Sequence, residues 1–188
     1  MLNDFIIRTE DMPSELGVLL NKYPRESWDA HPGFKDKTRQ WLAAHHMFRR
    51  LSNRIREDAE SYLDHNRSGD DYAARLSYFG NALVGNLHGH HGWEDNEYFP
   101  ELASADSRFS MGLEILEKDH KDLDLVLDQF TRSANRAIKL IHLDEATARD
   151  EVGEMHDIVE TIEAFLERHL GDEEDLAVPI ILHHRLRG

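Results

Sequence analysis

Apolar side chains recur at spacings of three and four residues along almost the whole chain from Lys35 onward. This is the period of an amphipathic helix, and no segment alternates convincingly at the period of two that a strand requires. Breaks in the pattern divide it into four helical segments. The predicted helices cover about residues 35–65, 70–102 and 108–140, and a fourth begins near residue 144.

Four helices of this length favour a bundle. Helices of roughly 30 residues are about 45 Å long, and short connections make neighbours in the chain antiparallel. The sequence therefore predicts an all-α fold, an antiparallel up-down-up-down four-helix bundle over residues 35–188, preceded by a short irregular N-terminal arm over residues 1–34. Three aromatic residues, Trp28, Phe34 and Trp41, are expected to fold the arm over one end of the bundle.

Composition excludes several classes of function. The 188 residues include 37 acidic and 22 basic side chains, for a net charge of −15, with 13 histidines and no cysteine. The lack of cysteine excludes disulfides, thiolate catalysis and cysteine-held clusters. The negative charge argues against binding to nucleic acids or anionic membranes. With no membrane-spanning run and no signal peptide, we expect a cytoplasmic protein. A homodimer through exposed Leu and Tyr side chains of the arm is one option, and the oligomeric state stays open.

Histidines and glutamates repeat within the helical pattern. The segments HHGWEDNEYFP (90–100) and HLGDEEDLAVP (169–179) align at an offset of 79 residues. Each carries a histidine followed by a glutamate four residues later, and each preceding helix supplies one further histidine at a comparable place. The six candidate residues are His45, His90, Glu94, His120, His169 and Glu173.

The spacing brings these side chains to one place. Residues four apart lie on the same helix face, and all six candidates lie on the stripe that otherwise carries Leu, Phe and Ile. Burying an unpaired carboxylate there would destabilise the fold by several kcal/mol unless the carboxylate were paired or bound to a metal. Because the stripe has no Lys or Arg, the pattern indicates divalent cations. Imidazole and carboxylate ligands suit iron, manganese or zinc, and two carboxylates able to bridge suit a pair of metals.

Four motifs carry a family resemblance: AHHMFRRL (44–51), HHGWEDNEYFP (90–100), DHKDLDLVL (119–127) and RHLGDEEDLAVPIIL (168–182). Over about residues 35–182 the chain resembles the hemerythrin-like, HHE cation-binding family. The resemblance implies a non-haem di-iron centre, two iron ions with oxo or hydroxo and carboxylate bridges, although ligand chemistry alone would also permit zinc or manganese. The ligands that it implies are His45, His90, Glu94, His120, His169 and Glu173, with the two glutamates as bridges.

The resemblance implies a protein that binds or reacts with dioxygen, peroxide or nitric oxide. Oxygen-carrying hemerythrins have two histidines four apart on the third helix, where this chain has His120 and then Asp124. That departure favours relatives linked to peroxide, nitric oxide or iron handling over reversible oxygen carriage. Whether the protein is an enzyme stays open. The alternatives are a non-catalytic cation-binding module that stores iron or senses oxygen or iron, and a structural zinc or manganese bundle.

Several neighbouring side chains are ambiguous. His46 and His91 adjoin ligand candidates but are rotated by about 100° from the stripe. Each could replace its neighbour, or lie outside the ligand set, and His91 is the better spare because it lies one turn before Glu94. Asp124 could hydrogen-bond a ligand or take an additional coordination position. Glu174 is expected to face water.

Two glycines flank the central histidines. Gly89 and Gly92 lie inside the second predicted helix, where a glycine costs about 1 kcal/mol relative to alanine. The hypothesis is that they leave room beside the metals for a small ligand.

Overall fold

The computed structural model describes residues 7–186, and every regular element in this part of the chain is helical. Residues 1–6 of the predicted arm lie outside the described residues. Two short helices, α1 and α4, accompany four long ones. The helices are α1 (Val18–Lys22), α2 (Asp36–Leu63), α3 (Gly69–Trp93), α4 (Phe99–Ala105), α5 (Ser110–Ile141) and α6 (Glu145–His184). The predicted all-α fold is confirmed.

The four long helices pack side by side in the order of the chain. Helix α2 contacts α3 and α6, and α5 contacts the same two helices. Along the α2–α6 interface, Arg49 pairs with Glu167 whereas Glu60, further along α2, pairs with the earlier His156. The two helices are therefore antiparallel. At each of the other three interfaces, the later residue of one helix likewise pairs with the earlier residue of its neighbour, so these helices are antiparallel too. The bundle is therefore up-down-up-down.

The helix starts follow from local chemistry. The side chain of Ser68 accepts a hydrogen bond from the backbone N–H of Asp71 at the start of α3. At the start of α6, Asp144 accepts one from the backbone N–H of Thr147. Both side chains satisfy backbone donors that the first turn of a helix leaves unpaired. None of the helices within residues 7–186 is long and apolar enough to cross a membrane.

A five-residue π-helix, Glu94–Tyr98, joins α3 to α4. The sequence predicts one uninterrupted helix here, so the π segment is a departure from that prediction. The backbone N–H of Phe99 bonds to the carbonyl of Glu94, five residues back, which is the π pattern. Such single turns are rare and often occur at functional sites, because the additional residue turns the following side chains to a new direction.

The hydrophobic core is divided into two clusters by a layer of buried polar residues. One cluster begins at this layer, with Phe48, Leu87, Leu123 and Leu170, and extends to the bundle end where α2 connects to α3 and α5 to α6. The other cluster fills the end of the bundle nearest the N-terminal arm. It contains Leu16, Leu19, Trp28, Phe34, Trp41, Tyr98, Phe99, Leu116 and Leu176, among others. The three aromatic residues expected to fold the arm over one bundle end thus pack together there.

The glycine hypothesis is wrong. Gly89 and Gly92 are exposed, and a Cβ atom added at either position would meet no atom within 4 Å. Both glycines therefore face outward, away from the core stripe. Neither has a positive φ, so no backbone conformation requires glycine there.

We expect Gly89→Ala to stabilise the protein by about 0.5–1 kcal/mol, because alanine loses less backbone entropy than glycine on entering a helix. Urea unfolding measures this gain. The matched control is Gly112→Ala in α5, where the added Cβ would lie 2.9 Å from side-chain carbons of Leu16 and Leu176. A gain at Gly112 equal to that at Gly89 would contradict this explanation.

Candidate metal centre

Seven side chains form two adjoining groups in the polar layer of the bundle, and all are buried except His90, which is slightly exposed. The three-histidine group contains His91, His120 and His169. The mixed group contains His45, His90, Glu94 and Glu173. Within each group, one ligand atom from every residue lies within 4.8 Å of the others. The structure thus brings together all six residues predicted from the sequence and adds His91.

The two glutamates extend between the groups. One oxygen of Glu173 lies 3.5 Å from Nε2 of His45, and the other lies 3.3 Å from Nε2 of both His120 and His169. Glu94 is placed in the same way, with Oε1 3.0 Å from Nε2 of His90 and Oε2 3.7 Å from Nε2 of His120. Both carboxylates therefore contact the two groups at once, as bridging ligands of a metal pair would.

His91 is the residue that sequence reasoning left undecided. Its ring stacks on that of His120, with centroids 3.9 Å apart, and only 3% of the residue is exposed. Burial, together with the nearby charge of His120, lowers the pKa of His91 well below its usual value. A neutral imidazole is the form that binds a metal. The signal in the sequence was the position of His91 one turn before Glu94.

Three carboxylates hold the outward-facing nitrogens of the histidines. Nδ1 of His120 lies 2.7 Å from Asp95, and Nδ1 of His45 lies 3.1 Å from Glu174. Asp95 and Glu174 occupy equivalent places in the 79-residue repeat, so the repeat preserves this contact as well as the ligand candidates. Nδ1 of His169 lies 3.3 Å from Asp119. Such contacts fix the tautomer and the orientation of a metal-binding imidazole.

Two of these carboxylates stay ionised although they are buried. Burial alone would raise the pKa of Asp119, but hydrogen bonds from His169 and Arg8 outweigh it and lower the value to about 2. Burial likewise opposes ionisation of Glu174, and hydrogen bonds from His45 and Arg25 lower its pKa to about 2. Glu174, expected to face water, is instead 6% exposed and part of the site. That prediction was wrong because α6 packs against α2 on this side, where Glu174 contacts His45 and Arg49.

Charge inside the site is balanced between imidazoles and carboxylates. Burial would lower the pKa of His120, but hydrogen bonds to Asp95 and Glu173 raise it to about 10. Burial would raise the pKa of Glu173, but the charge of His169 and a hydrogen bond from His120 lower it well below its usual range. A cation bound here would take over the role of these protons, since a metal and a proton compete for the same lone pair on an imidazole.

Aromatic rings enclose the two groups. Phe48 packs against His90, Phe99 against His120 and Phe165 against His169, with ring centroids 5.0, 5.6 and 5.1 Å apart. Trp41 packs against His45, and its indole N–H donates a 2.6 Å hydrogen bond to Oε1 of Glu94. The sequence predicted only a packing role for Trp41, and no pattern in it indicated this hydrogen bond.

Two other ambiguous residues lie away from the site. His46 is exposed on the outer face of α2. Asp124 is also exposed, and its carboxylate pairs with His88 at 3.3 Å. Neither side chain belongs to the two groups.

Several donor atoms of the site are buried without a hydrogen-bond partner. They are both ring nitrogens of His91, Oε2 of Glu94, Oε2 of Glu173 and Nε2 of His169. A buried polar atom without a partner is costly, and native proteins rarely leave several together. A set of five imidazoles and two carboxylates, with no thiolate, fits divalent transition metals.

The fold and the buried donor set define a helical-bundle, metal-binding protein. The chain matches the family model of the Hemerythrin HHE cation binding domain over residues 36–181, so it belongs to that family. Searches of curated proteins and of solved structures returned no match.

Proposed function

We propose that this chain is a non-haem di-iron protein that binds or reacts with dioxygen, peroxide or nitric oxide. The observation that supports this most is the placement of Glu94 and Glu173, each of which contacts both groups of histidines. A site for one structural zinc ion needs four ligands and no bridging carboxylate. Seven convergent side chains in two groups suit two metals.

The proposed ligands follow from the groups. His45 and His90 would hold one iron, while His91, His120 and His169 would hold the other. Glu94 and Glu173 would bridge the pair. In oxygen carriers of the family, the third bundle helix supplies two histidines. In this chain the third bundle helix is α5, which supplies His120, and the additional imidazole is that of His91 on α3, the second bundle helix.

When bound, the iron pair supplies redox chemistry toward small oxidants and diatomic ligands. The chain's own residues exclude water from the site and orient its ligands. The rings of Phe48, Phe99 and Phe165 exclude water from the groups, which strengthens every electrostatic contact inside. The indole N–H of Trp41 fixes the orientation of Glu94.

The two metal positions differ in the donors that the chain offers. The mixed group has two imidazoles, and the three-histidine group has three. We therefore expect a small ligand to bind on the side of His45 and His90. The side chain of His90 is 9% exposed, against 2% or less for His45, His120 and His169. This makes the same side the nearer one to solvent.

Anaerobic iron loading tests the proposal, followed by metal analysis and optical spectra after adding dioxygen, peroxide or nitric oxide. We expect two irons per chain and a spectral response to at least one ligand. A stable, reversible band with dioxygen would favour carriage or sensing, whereas catalytic consumption of peroxide would favour an enzyme. One zinc per chain with no spectral response would overturn the di-iron proposal.

A further inference from the structure

Two arginines of the N-terminal arm reach the carboxylates behind the metal site. Nη2 of Arg8 lies 2.7 Å from Oδ2 of Asp119, and its Nε lies 3.2 Å from both oxygens of that carboxylate. Nη1 of Arg25 lies 2.6 Å from Oε2 of Glu174. These contacts span more than 100 residues of sequence, so the tertiary fold alone brings them about.

Each of these two carboxylates also contacts a histidine, and the two histidines belong to different groups of the metal site. Asp119 hydrogen-bonds Nδ1 of His169, in the three-histidine group, and Glu174 hydrogen-bonds Nδ1 of His45, in the mixed group. The arm therefore contacts one imidazole of each group through a single carboxylate. An arm that merely covered an apolar bundle end would need no such polar connection, because Leu16, Leu19, Trp28 and Phe34 already supply the packing.

The arginines also tie the arm to α6. Arg8 binds Asp172 at 2.6 Å, and Arg25 binds Asp175 at 2.7 Å and the carbonyl of Gly171 at 3.0 Å. The Arg8 guanidinium thus bridges Asp119 of α5 and Asp172 of α6, whereas the contacts of Arg25 all lie on α6. A planar guanidinium suits such a bridge because its donors have a fixed geometry.

We propose that the N-terminal arm is a clamp on the metal site, in which Arg8 and Arg25 are positioning residues for His169 and His45. The clamp rests on the proposed metal-binding function and adds a consequence to it. Because coupling between two binding events is reciprocal, a docked arm strengthens metal binding and a bound metal strengthens docking of the arm.

The two arginines do not contribute equally. Without Arg25, Glu174 keeps a 3.0 Å hydrogen bond from Arg49 of α2. Without Arg8, Asp119 keeps its contact with His169, and among the described residues the remaining guanidinium beside it is that of Arg168, at 3.5 Å. The side chain of Arg8 is 13% exposed and that of Arg25 is 46% exposed, so solvent screens the second pair more. Arg8 is therefore the stronger half of the clamp.

Metal titration of the full chain with a competing chelator tests the clamp, using Fe²⁺ and Zn²⁺ in separate experiments. We expect Arg8→Gln to weaken binding about 10-fold, the lower end of what loss of an outer contact costs a metal site. Arg25→Gln should weaken it less, and Arg8→Lys should recover part of the loss because it keeps the charge. The matched control is Arg39→Gln, which removes an arm contact, to Asp29, that leads to no site carboxylate.

Hydrogen exchange of the arm amides over residues 7–34 supplies the readout that a packing role alone would not move. In the wild type, Zn²⁺ should slow this exchange, and in the Arg8→Gln, Arg25→Gln double variant the metal-dependent slowing should disappear. Equal metal affinity in wild type and double variant, or exchange of the arm that ignores the metal, would overturn the clamp. A wild type that binds Zn²⁺ but not two irons would refute the di-iron function, while the clamp would still be judged on zinc.

Discussion

His91→Ala is expected to lower iron binding from two ions per chain to one. The ring of His91 is buried, stacks on His120 and has no hydrogen-bond partner for either nitrogen. Without it, the three-histidine group keeps only the imidazoles of His120 and His169, so this position loses one of its three nitrogen donors. Metal analysis after anaerobic loading measures the ratio, and the optical response of a coupled pair should vanish with the second ion.

His46→Ala is the matched control for this experiment. His46 also stands directly after a proposed ligand in the sequence, but its side chain is exposed on α2. We expect the His46 variant to keep two irons and the wild-type spectrum. Full iron loading in the His91 variant would show that His91 is a buried packing residue, and loss of iron in the His46 variant would contradict the side-chain positions described above.

Glu173→Ala is expected to abolish the signal of a metal pair, and Glu94→Ala should do the same. Each glutamate contacts both groups, so its loss removes a ligand from two positions at once. The buried imidazoles would also lose the negative charge that balances the cations, a large effect in an interior shielded from water. Magnetic and optical spectra of iron-loaded protein distinguish a bridged pair from isolated ions.

Glu97→Ala is the control for the glutamate variants, since Glu97 lies one turn from Glu94 but is exposed. It should keep the paired signal. Should both Glu94→Ala and Glu173→Ala retain that signal, the assignment of the two carboxylates as bridges would be wrong. A variant that fails to load any metal is separated from an unfolded one by its helical circular dichroism.

Hydrophobic periodicity was sufficient to predict the bundle, because helices packed around a core must keep apolar side chains on one face. The predicted first helix, 35–65, is observed as Asp36–Leu63, and the third, 108–140, as Ser110–Ile141. The π segment, Glu94–Tyr98, was not predicted. Its residues continue the helical spacing, and the local insertion depends on tertiary contacts that a period of 3.6 does not encode.

The sequence predicted the site residues that lie on the core-facing stripe of each helix, and it did not predict those that lie beside this stripe. His90 and Glu94 lie four apart, so both were predicted. His91 and Glu174 are rotated from that face, and so His91 was left ambiguous and Glu174 was expected to face water. At the metal layer, adjacent side chains contact different neighbouring helices, because His90 lies against His45 of α2 and His91 lies against His120 of α5. The hydrogen bond from Trp41 to Glu94 and the contact of Arg8 with Asp119 join segments that are distant in the sequence, so no local pattern predicts them.

The distribution of donors among the helices has a consequence for unfolding. The three-histidine group takes one residue from each of α3, α5 and α6, and the mixed group draws on α2, α3, the π segment and α6. Neither the α2–α3 hairpin nor the α5–α6 hairpin completes a group by itself. A bound ion would therefore act as a cross-link between the hairpins, which must separate before the chain can unravel. Metal loading should accordingly slow the unfolding rate and thereby prolong the lifetime of the native state.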